Sequence, residues 1–450
     1  MRSQLLGARL PRILTAYTVN RLGTWFGYVA LSLAVFEHTH SALDVAFLLV
    51  AGQALPALLS PALVARVEAS PGRAKLTALY VFEALITGAL VVLLLNFWLP
   101  AVLVLVALDG TAALAASALL RAEAARAARG HIEEPLGNGA HAAEAGDAAA
   151  AGEAAQTAER KANAALNVAF SATFMVGPAL AGVVVASAGG PVALLIDVAS
   201  FLICAAMLTD LRPHVEESEE ASVRSRLRAA WEHINDVPAL RTLLLAEGVA
   251  LVFFASDGSI EVPYAKVALQ AGDRGYGLLL AAWGVGVVLG SLAFARAVRR
   301  PLGAMLTAGS LAVGLAYLGF AAAPSLALAC LAGLVGGVGN GVQWASLLSA
   351  VQQLTPPRLH GRMMGAVESL GALCPAIGLL LGGILVTLSS ARTAFLVVGL
   401  GATVTTAAFL RLAAGSGLQP AGSASGPASG EEALQLALRE PAEREPVGRG

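Results

Sequence analysis

The fold class this sequence predicts is an all-α membrane protein: twelve transmembrane helices in two six-helix bundles. Three observations lead there. Roughly a dozen apolar runs follow one another, and a run of about 20 apolar residues crosses a bilayer core of about 30 Å as a helix. Of 450 residues, 57% are hydrophobic and 13% charged, and the mean hydropathy is +0.72; a soluble protein of this length needs more polar surface than that. Basic residues gather at every second junction between the runs, which fixes the direction of each crossing.

The spans fall near 12–37, 42–65, 74–95, 99–121, 162–187, 191–210, 241–264, 275–297, 301–322, 325–354, 361–387 and 391–412. Glycine and proline lie within many of them, as in packed membrane helices. One face receives the N-terminus, the 66–75, 296–300 and 358–362 loops, the 121–161 and 212–241 segments and the tail. Those segments hold 25 of the 29 Lys and Arg residues. The opposite face holds Lys266, Arg274 and Arg392, and Arg21 lies inside the first span. This asymmetry predicts a multi-pass protein of the cell membrane with both termini in the cytoplasm. The stretch Met1 to Pro11 carries Arg2 and Arg9 and could pass for a signal-peptide start. The run that follows is too long for that, and no small-residue cleavage site follows it, so the first span is expected to stay.

Three segments interrupt the rhythm. Residues 122–160 are a low-complexity cytoplasmic insertion rich in Ala, Glu and Gly, expected to be partly helical. Residues 211–240 form a charged linker. Within it Val223, Leu227, Ala230, Trp231 and Ile234 recur at helical spacing, the pattern of an amphipathic helix on the membrane surface. Residues 413–450 read as a disordered tail. The domains are therefore an N-terminal bundle over 1–210, the linker 211–240, a C-terminal bundle over 241–412 and the tail.

The two halves echo each other. Span five carries Val176-Gly177-Pro178-Ala179-Leu180-Ala181-Gly182. Span eleven carries Leu373-Cys374-Pro375-Ala376-Ile377-Gly378, then Gly382-Gly383. Proline removes a backbone hydrogen bond and bends a helix, while small neighbours let a second helix approach. Matching bends in matching spans point to two halves that rock about a central site.

These features resemble the major facilitator superfamily, and most of all its bacterial drug and siderophore efflux branch. The resemblance rests on Leu22-Gly23-Thr24-Trp25-Phe26 and Ser41-Ala42-Leu43 early in the chain. It also rests on the Gly177-Pro178-x-x-x-Gly182 run, on Asp197 to Leu202 of span six, and on Pro356-Pro357-x-x-x-Gly361-Arg362-Met363. It implies a secondary transporter that exports a small hydrophobic or amphipathic compound by alternating access. The absence of any ATP-binding motif argues for an ion gradient, protons first, as the energy source, and a monomer in the lipid bilayer with no cofactor is expected. Gly177, Pro178, Gly182, Pro375, Glu68, Arg73 and Arg362 would serve gating or hinge roles. The loop between spans two and three departs from the family pattern: Glu68 stands for the family's acid, and Ala69 replaces the adjacent arginine. An uptake carrier, an uncoupled facilitator and a non-transporting membrane scaffold or sensor remain as alternatives.

Ionisable groups within spans are costly and usually face protein or water. Arg21, Glu83, Asp109, Asp197, Glu247, Asp257 and Glu368 fall in this class. The resemblance makes spans one, four, seven and ten the cavity wall. Arg21 and Asp109 then stand at similar depth, as either a proton- or substrate-responsive ion pair or a structural one. Asp257 is read as a binding residue or a mark of a helix break. Glu247 and Glu368 are expected to meet cytoplasmic arginines, and Glu83 and Asp197 to make packing or gating contacts. Asn340, Gln343 and Trp344 of span ten, with Trp25 and Tyr28 of span one, suit an aromatic or amphipathic substrate or helix–helix hydrogen bonding.

Other chemistry finds no support. The glycines of 336–341 lack the strand–loop–helix context of a nucleotide site. Cys204, Cys330 and Cys374 have neither metal nor disulfide spacing, and His38 and His40 read as a solvated turn. A net charge of −1 gives no nucleic-acid footprint, and no catalytic constellation appears.

Overall fold

Helix follows helix along the whole described chain. The computed structural model describes residues 9–57, 75–133, 145–209, 231–297, 300–356 and 359–415, and no strand occurs among them. The helices are α1 (Arg9–Thr39), α2 (Ala42–Leu49, continued by a π-helical turn over Val50–Ala54), α3 (Lys75–Leu95), α4 (Leu99–Glu133), α5 (Ala145–Ala188) and α6 (Gly190–Met207). Then come α7 (Pro238–Ala255, resuming over Asp257–Pro263 and closing in a π-helical turn over Tyr264–Ala268), α8 (Gly272–Arg296), α9 (Leu302–Ala322), α10 (Leu326–Gln353), α11 (His360–Leu388) and α12 (Ala391–Gly415). Among the described residues, nine helices, α3 to α10 and α12, are long and apolar enough to cross a membrane. The apolar stretches Ala42–Ala57 and Leu373–Leu388 are shorter. Helix α1 has 31 residues, and Asn20, Arg21 and Thr24 dilute its hydropathy.

Several boundaries depart from the sequence reading. The fourth span was expected to end at 121 and the fifth to begin at 162; α4 runs on to Glu133 and α5 starts at Ala145. Alanine has the highest helix propensity, so the insertion extends both helices rather than looping away. Residues 134–144 lie outside the described residues, as do Glu68, Arg73, residue 210, residues 211–230 of the linker and the tail from 416. Residues 231–236 of the linker are helical.

The connections at the face away from the start of α1 are two or three residues long or shorter, and backbone geometry closes them. His40 (φ 52°) turns α1 into α2, Gly189 (φ 87°) turns α5 into α6, and Gln270 and Gly272 (φ 54° and 63°) turn α7 into α8. Ser41 caps α2 by accepting the amide of Asp44 at 3.2 Å. This is the distal face; the face where α1 begins is the proximal one.

Packing sorts the helices into two groups of six, α1–α6 and α7–α12. Two main seams join the groups, α5 against α8 and α2 against α11, and the second part of α7 also packs on α2 and α1. A hydrophobic cluster draws on both groups at the distal end, with Phe26, Leu33, Val45 and Leu194 from the first and Tyr264, Tyr276, Phe320 and Phe395 from the second. Proximally there are two separate clusters. Ile13, Tyr17, Tyr80, Leu120 and Phe201 belong to the first group; Leu240, Leu244, Leu347, Val351 and Met363 belong to the second. A shared core at one end and divided cores at the other leave a cleft that opens to the proximal face.

Small residues make the distal seams possible. A β-carbon at Gly182 of α5 would stand 2.9 Å from the carbonyl oxygen of Asp273 and 2.9 Å from the Cα of Gly277 on α8. One at Gly383 of α11 would stand 2.9 Å from the Cα of Leu43 on α2. In a membrane, close backbone approach of this kind supplies much of the helix–helix attraction.

Candidate functional site

Helix α1 carries the side chains that face the cleft. Arg21, Thr24 and Tyr28 fall on one stripe at helical spacing, one turn beyond the buried Tyr17. The neighbouring face of α1 is occupied: Gly23 and Gly27 lie directly against Asp197 and Ser200 of α6. Thr24 is exposed in mid-helix, as expected of a residue that looks into a cleft.

Arg21 and Asp109 do not pair. The Arg21 guanidinium lies 4.8 Å over the Phe170 ring of α5 and 5.9 Å from the Tyr17 ring centroid. Asp109 instead faces Thr87 of α3. Equal depth brought the two residues together in the sequence reading; their directions around their helices keep them apart.

A run of aromatic rings leaves Arg21 and follows the cleft distally. Phe170 stacks on Phe174 at 6.0 Å between centroids, Phe174 meets the edge of Trp25 at 5.0 Å, and Trp25 meets the edge of Tyr28 at 5.6 Å. Gly177 gives Trp25 its seat, since any β-carbon there would press on the indole at 2.5 Å. The Gly177-Pro178-x-x-x-Gly182 run thus holds Trp25 with its first glycine and α8 with its last. Across the cleft, Trp344 of α10 is 39% exposed and Asn340 is half-buried.

Gln343 does not share that wall. It is 1% exposed, and its Nε2 donates to both carboxylate oxygens of Glu247 on α7, at 3.0 and 3.1 Å. Glu247 was expected to meet cytoplasmic arginines; the buried amide takes that place. Gly336, Gly339 and Gln343, at i, i+3 and i+7, turn one face of α10 toward α9, and that spacing was the available clue. Pro375 lies within α11, beside the stretch that packs on α7. Arg362 and Glu368 belong to α11, and their side chains are outside the described set.

Three carboxylates cluster in the first half, away from Arg21. Glu83 is 1% exposed, and both its oxygens lack a hydrogen-bond partner among the described residues; Asp109 Oδ1 is in the same position. Asp197 accepts from Ser200 Oγ at 3.3 Å. Glu83 lies within electrostatic reach of Asp109 and Asp197.

A second carboxylate group sits where α7 breaks. The helix stops at Ala255 and resumes at Asp257, and Ser256 N bonds to Phe253 O in a tightened turn. Asp257 lies within reach of the Tyr317 hydroxyl, which donates to Phe254 O at 2.6 Å. One turn on, Glu261 is 3% exposed and interacts with Asp257. The sequence reading missed Glu261, Tyr276 and Tyr317; the i, i+4 spacing of Asp257 and Glu261 was the signal for the first. Tyr28 and Tyr276 gather beside Glu261, and Tyr276 Oη and Ser32 Oγ make no well-formed hydrogen bond.

The distal end is also tied by charge. Lys266 of α7 pairs with Glu37 of α1 and, at 2.7 Å, with Asp273 of α8, so one ammonium links the two halves. Nearby, Arg392 of α12 donates to the carbonyls of Ala321 and Ala323 at 3.2 and 2.6 Å, closing the end of α9.

Among known proteins, the family model described as transmembrane secretion effector matches residues 135–435, more than half of the chain. The chain is 28% identical over 403 residues to the multidrug efflux pump Tap of Mycolicibacterium fortuitum, which spans 86% of this chain and 91% of that protein. Among solved structures it is similar to the nucleoside transporter NupG, with a TM-score of 0.68, 12% identity and coverage of 90% and 98%. It is also similar to a bacterial homologue of the iron transporter ferroportin in an inward-facing state, with a TM-score of 0.64, 16% identity and coverage of 90% and 98%. At these identities the solved structures speak to the fold, which is that of major facilitator transporters.

Proposed function

Because the chain belongs to the transmembrane secretion effector family of the major facilitator superfamily, we propose that it exports small hydrophobic or amphipathic compounds, drugs among them, by alternating access coupled to protons. The observation that carries the reading is the cleft itself. It is closed distally by the α5–α8 and α2–α11 seams, open proximally, and floored by aromatic rings and a half-buried arginine. A carrier needs two such arrangements with the site exposed to one side at a time. The arginine asymmetry makes the proximal face cytoplasmic, so this is the state that loads from the cell interior. In this reading the protein is a monomeric, multi-pass carrier of the cell membrane and performs no chemistry on its cargo.

In this reading the proton gradient supplies the energy, and the buried carboxylates couple it to transport. An ionised carboxylate without water or a partner costs several kcal/mol, and a bound proton removes that cost. Glu83, Asp109 and Asp197 form such a group, and distal opening would expose it to the outside. The likeness to a pump named for multidrug efflux supports the direction of transport.

Everted vesicles test the reading, with a panel of fluorescent amphiphiles and an imposed proton gradient. Uptake should require the protein and collapse when the gradient is discharged. Asp109→Asn should keep substrate binding and lose at least about tenfold of gradient-driven uptake, a loss of about 1.4 kcal/mol in coupling. Protein-independent uptake of every compound defeats the export reading, and full gradient-driven uptake by Asp109→Asn defeats the coupling role.

A further inference from the structure

Resting on the export reading above, we infer that the cargo is an amphipathic organic anion. Its acidic group sits at Arg21, and its ring system lies along Phe170, Phe174, Trp25 and Tyr28. Among the described residues no carboxylate makes an ion pair with Arg21, whose contacts are the rings of Phe170 at 4.8 Å and Tyr17 at 5.9 Å. A second cation serves the same place. Arg121 of α4, exposed, lies 6.0 Å from the Tyr17 ring centroid, and its Nη2 points to the Tyr17 hydroxyl at 3.5 Å. Two guanidinium groups thus come to one tyrosine, and among the described residues no carboxylate pairs with either.

Energetics decide what should fill the site. A cation at mid-membrane depth is costly unless something neutralises it. Cation–π contact returns only part of that cost. The remainder is a standing cost that a bound anion offsets and a bound cation increases. Acids were at hand to neutralise Arg21 permanently, because Glu83, Asp109 and Asp197 are in the same half. They are instead gathered elsewhere: Asp109 faces Thr87, and Asp197 lies against Gly23 and Gly27 behind α1.

The surroundings also fix an orientation. Four rings in contact lead from Arg21 to Tyr28, with centroid spacings of 6.0, 5.0 and 5.6 Å. Beyond Tyr28 stand Asp257 and Glu261. An anion is therefore drawn to the Arg21 end, while its apolar body meets aromatic faces. Thr24 and Asn340 leave hydrogen-bonding groups along the way.

Fluorescein and rhodamine 6G share a xanthene ring system and differ in charge, so the pair isolates the acidic group. In everted vesicles the wild-type protein should carry fluorescein in preference to rhodamine 6G. Arg21→Gln should lower fluorescein transport at least about tenfold, the worth of about 1.4 kcal/mol, and Arg21→Lys should recover part of it. Arg121→Gln, a change at an exposed position, should weaken fluorescein binding by about threefold to fivefold, read by anisotropy on the purified protein. If rhodamine 6G is carried by wild type and fluorescein is not, the anion inference falls and the export reading stands. Equal fluorescein transport by wild type and folded Arg21→Gln also overturns the inference. If neither dye nor any other amphiphile moves, the export reading falls and takes the inference with it.

Discussion

A single methyl group at Gly277 should prise the distal seam apart. A β-carbon there would stand 2.6 Å from the Pro178 carbonyl oxygen, 2.9 Å from the Gly182 Cα and 3.2 Å from the Gly182 nitrogen. All three are backbone atoms, so no side chain can turn aside. Comfortable contact needs about 3.5 Å, so α5 and α8 must part by roughly 0.9 Å. Overpacking of this kind costs about 1–3 kcal/mol. The cost falls on the distally closed state alone, because opening the seam relieves it. Gly277→Ala should therefore shift the closed-to-open ratio by about 5–150-fold. Spin labels at Asn96 and Ser325, both exposed at the distal ends of opposite halves, report the change by pulsed electron resonance, with Cys204, Cys330 and Cys374 replaced. A longer-distance population should appear. Gly182→Ala meets the same obstruction from the other side, so the double variant should add little to the worse single one. An unchanged distance distribution with unchanged transport would refute the claim that this contact holds the closed state.

Three further outcomes follow from the contacts described. Lys266→Met should also raise the distally open population, by about fivefold, since a partly exposed ion pair is worth about 1 kcal/mol; high salt should mimic the effect in the wild type and do nothing in the variant. Gln343→Leu strands the buried Glu247 carboxylate and should cost about 1–3 kcal/mol, seen as a lower melting temperature in detergent. Adding Glu247→Leu should recover most of that loss; a double variant that melts as low as the single one contradicts the pairing. Arg392→Met uncaps α9 at Ala321 and Ala323 and should remove about 1.5–3 kcal/mol of stability, while the substrate dissociation constant, measured by anisotropy, stays the same.

The parts legible in the sequence are those written in local pattern. Apolar run length placed the helices, and arginine alternation ordered the two faces. The repeated Pro-Gly sequence singled out α5, which forms a seam with α8, and α11, which forms one with α2. Azimuth and long-range pairing were not legible. Residue counting put Arg21 and Asp109 at one depth, but nothing local says that Arg21 turns to Phe170 while Asp109 turns to Thr87. Gln343 looked like a cavity residue because Asn340 and Trp344 flank it, yet one residue is about 100° of helix rotation, enough to move it to the Glu247 side. The Glu37–Lys266 bridge joins positions 229 residues apart, and no sequence pattern announces it. The Ala-rich insertion was expected to be only partly helical, and alanine propensity carried α4 and α5 well into it.

Alternating access is the central claim, and the distal gate is where it is most exposed to test. Glu37→Cys with Lys266→Cys, in a variant whose native cysteines are replaced, allows a short bis-methanethiosulfonate cross-linker, cleavable by reductant, to tie α1 to α7 across the two halves. The tied protein should still bind fluorescent amphiphiles from the proximal side, should carry none across everted vesicles, and should regain transport when the tether is cleaved. Transport at the full rate with the tether intact would contradict the account.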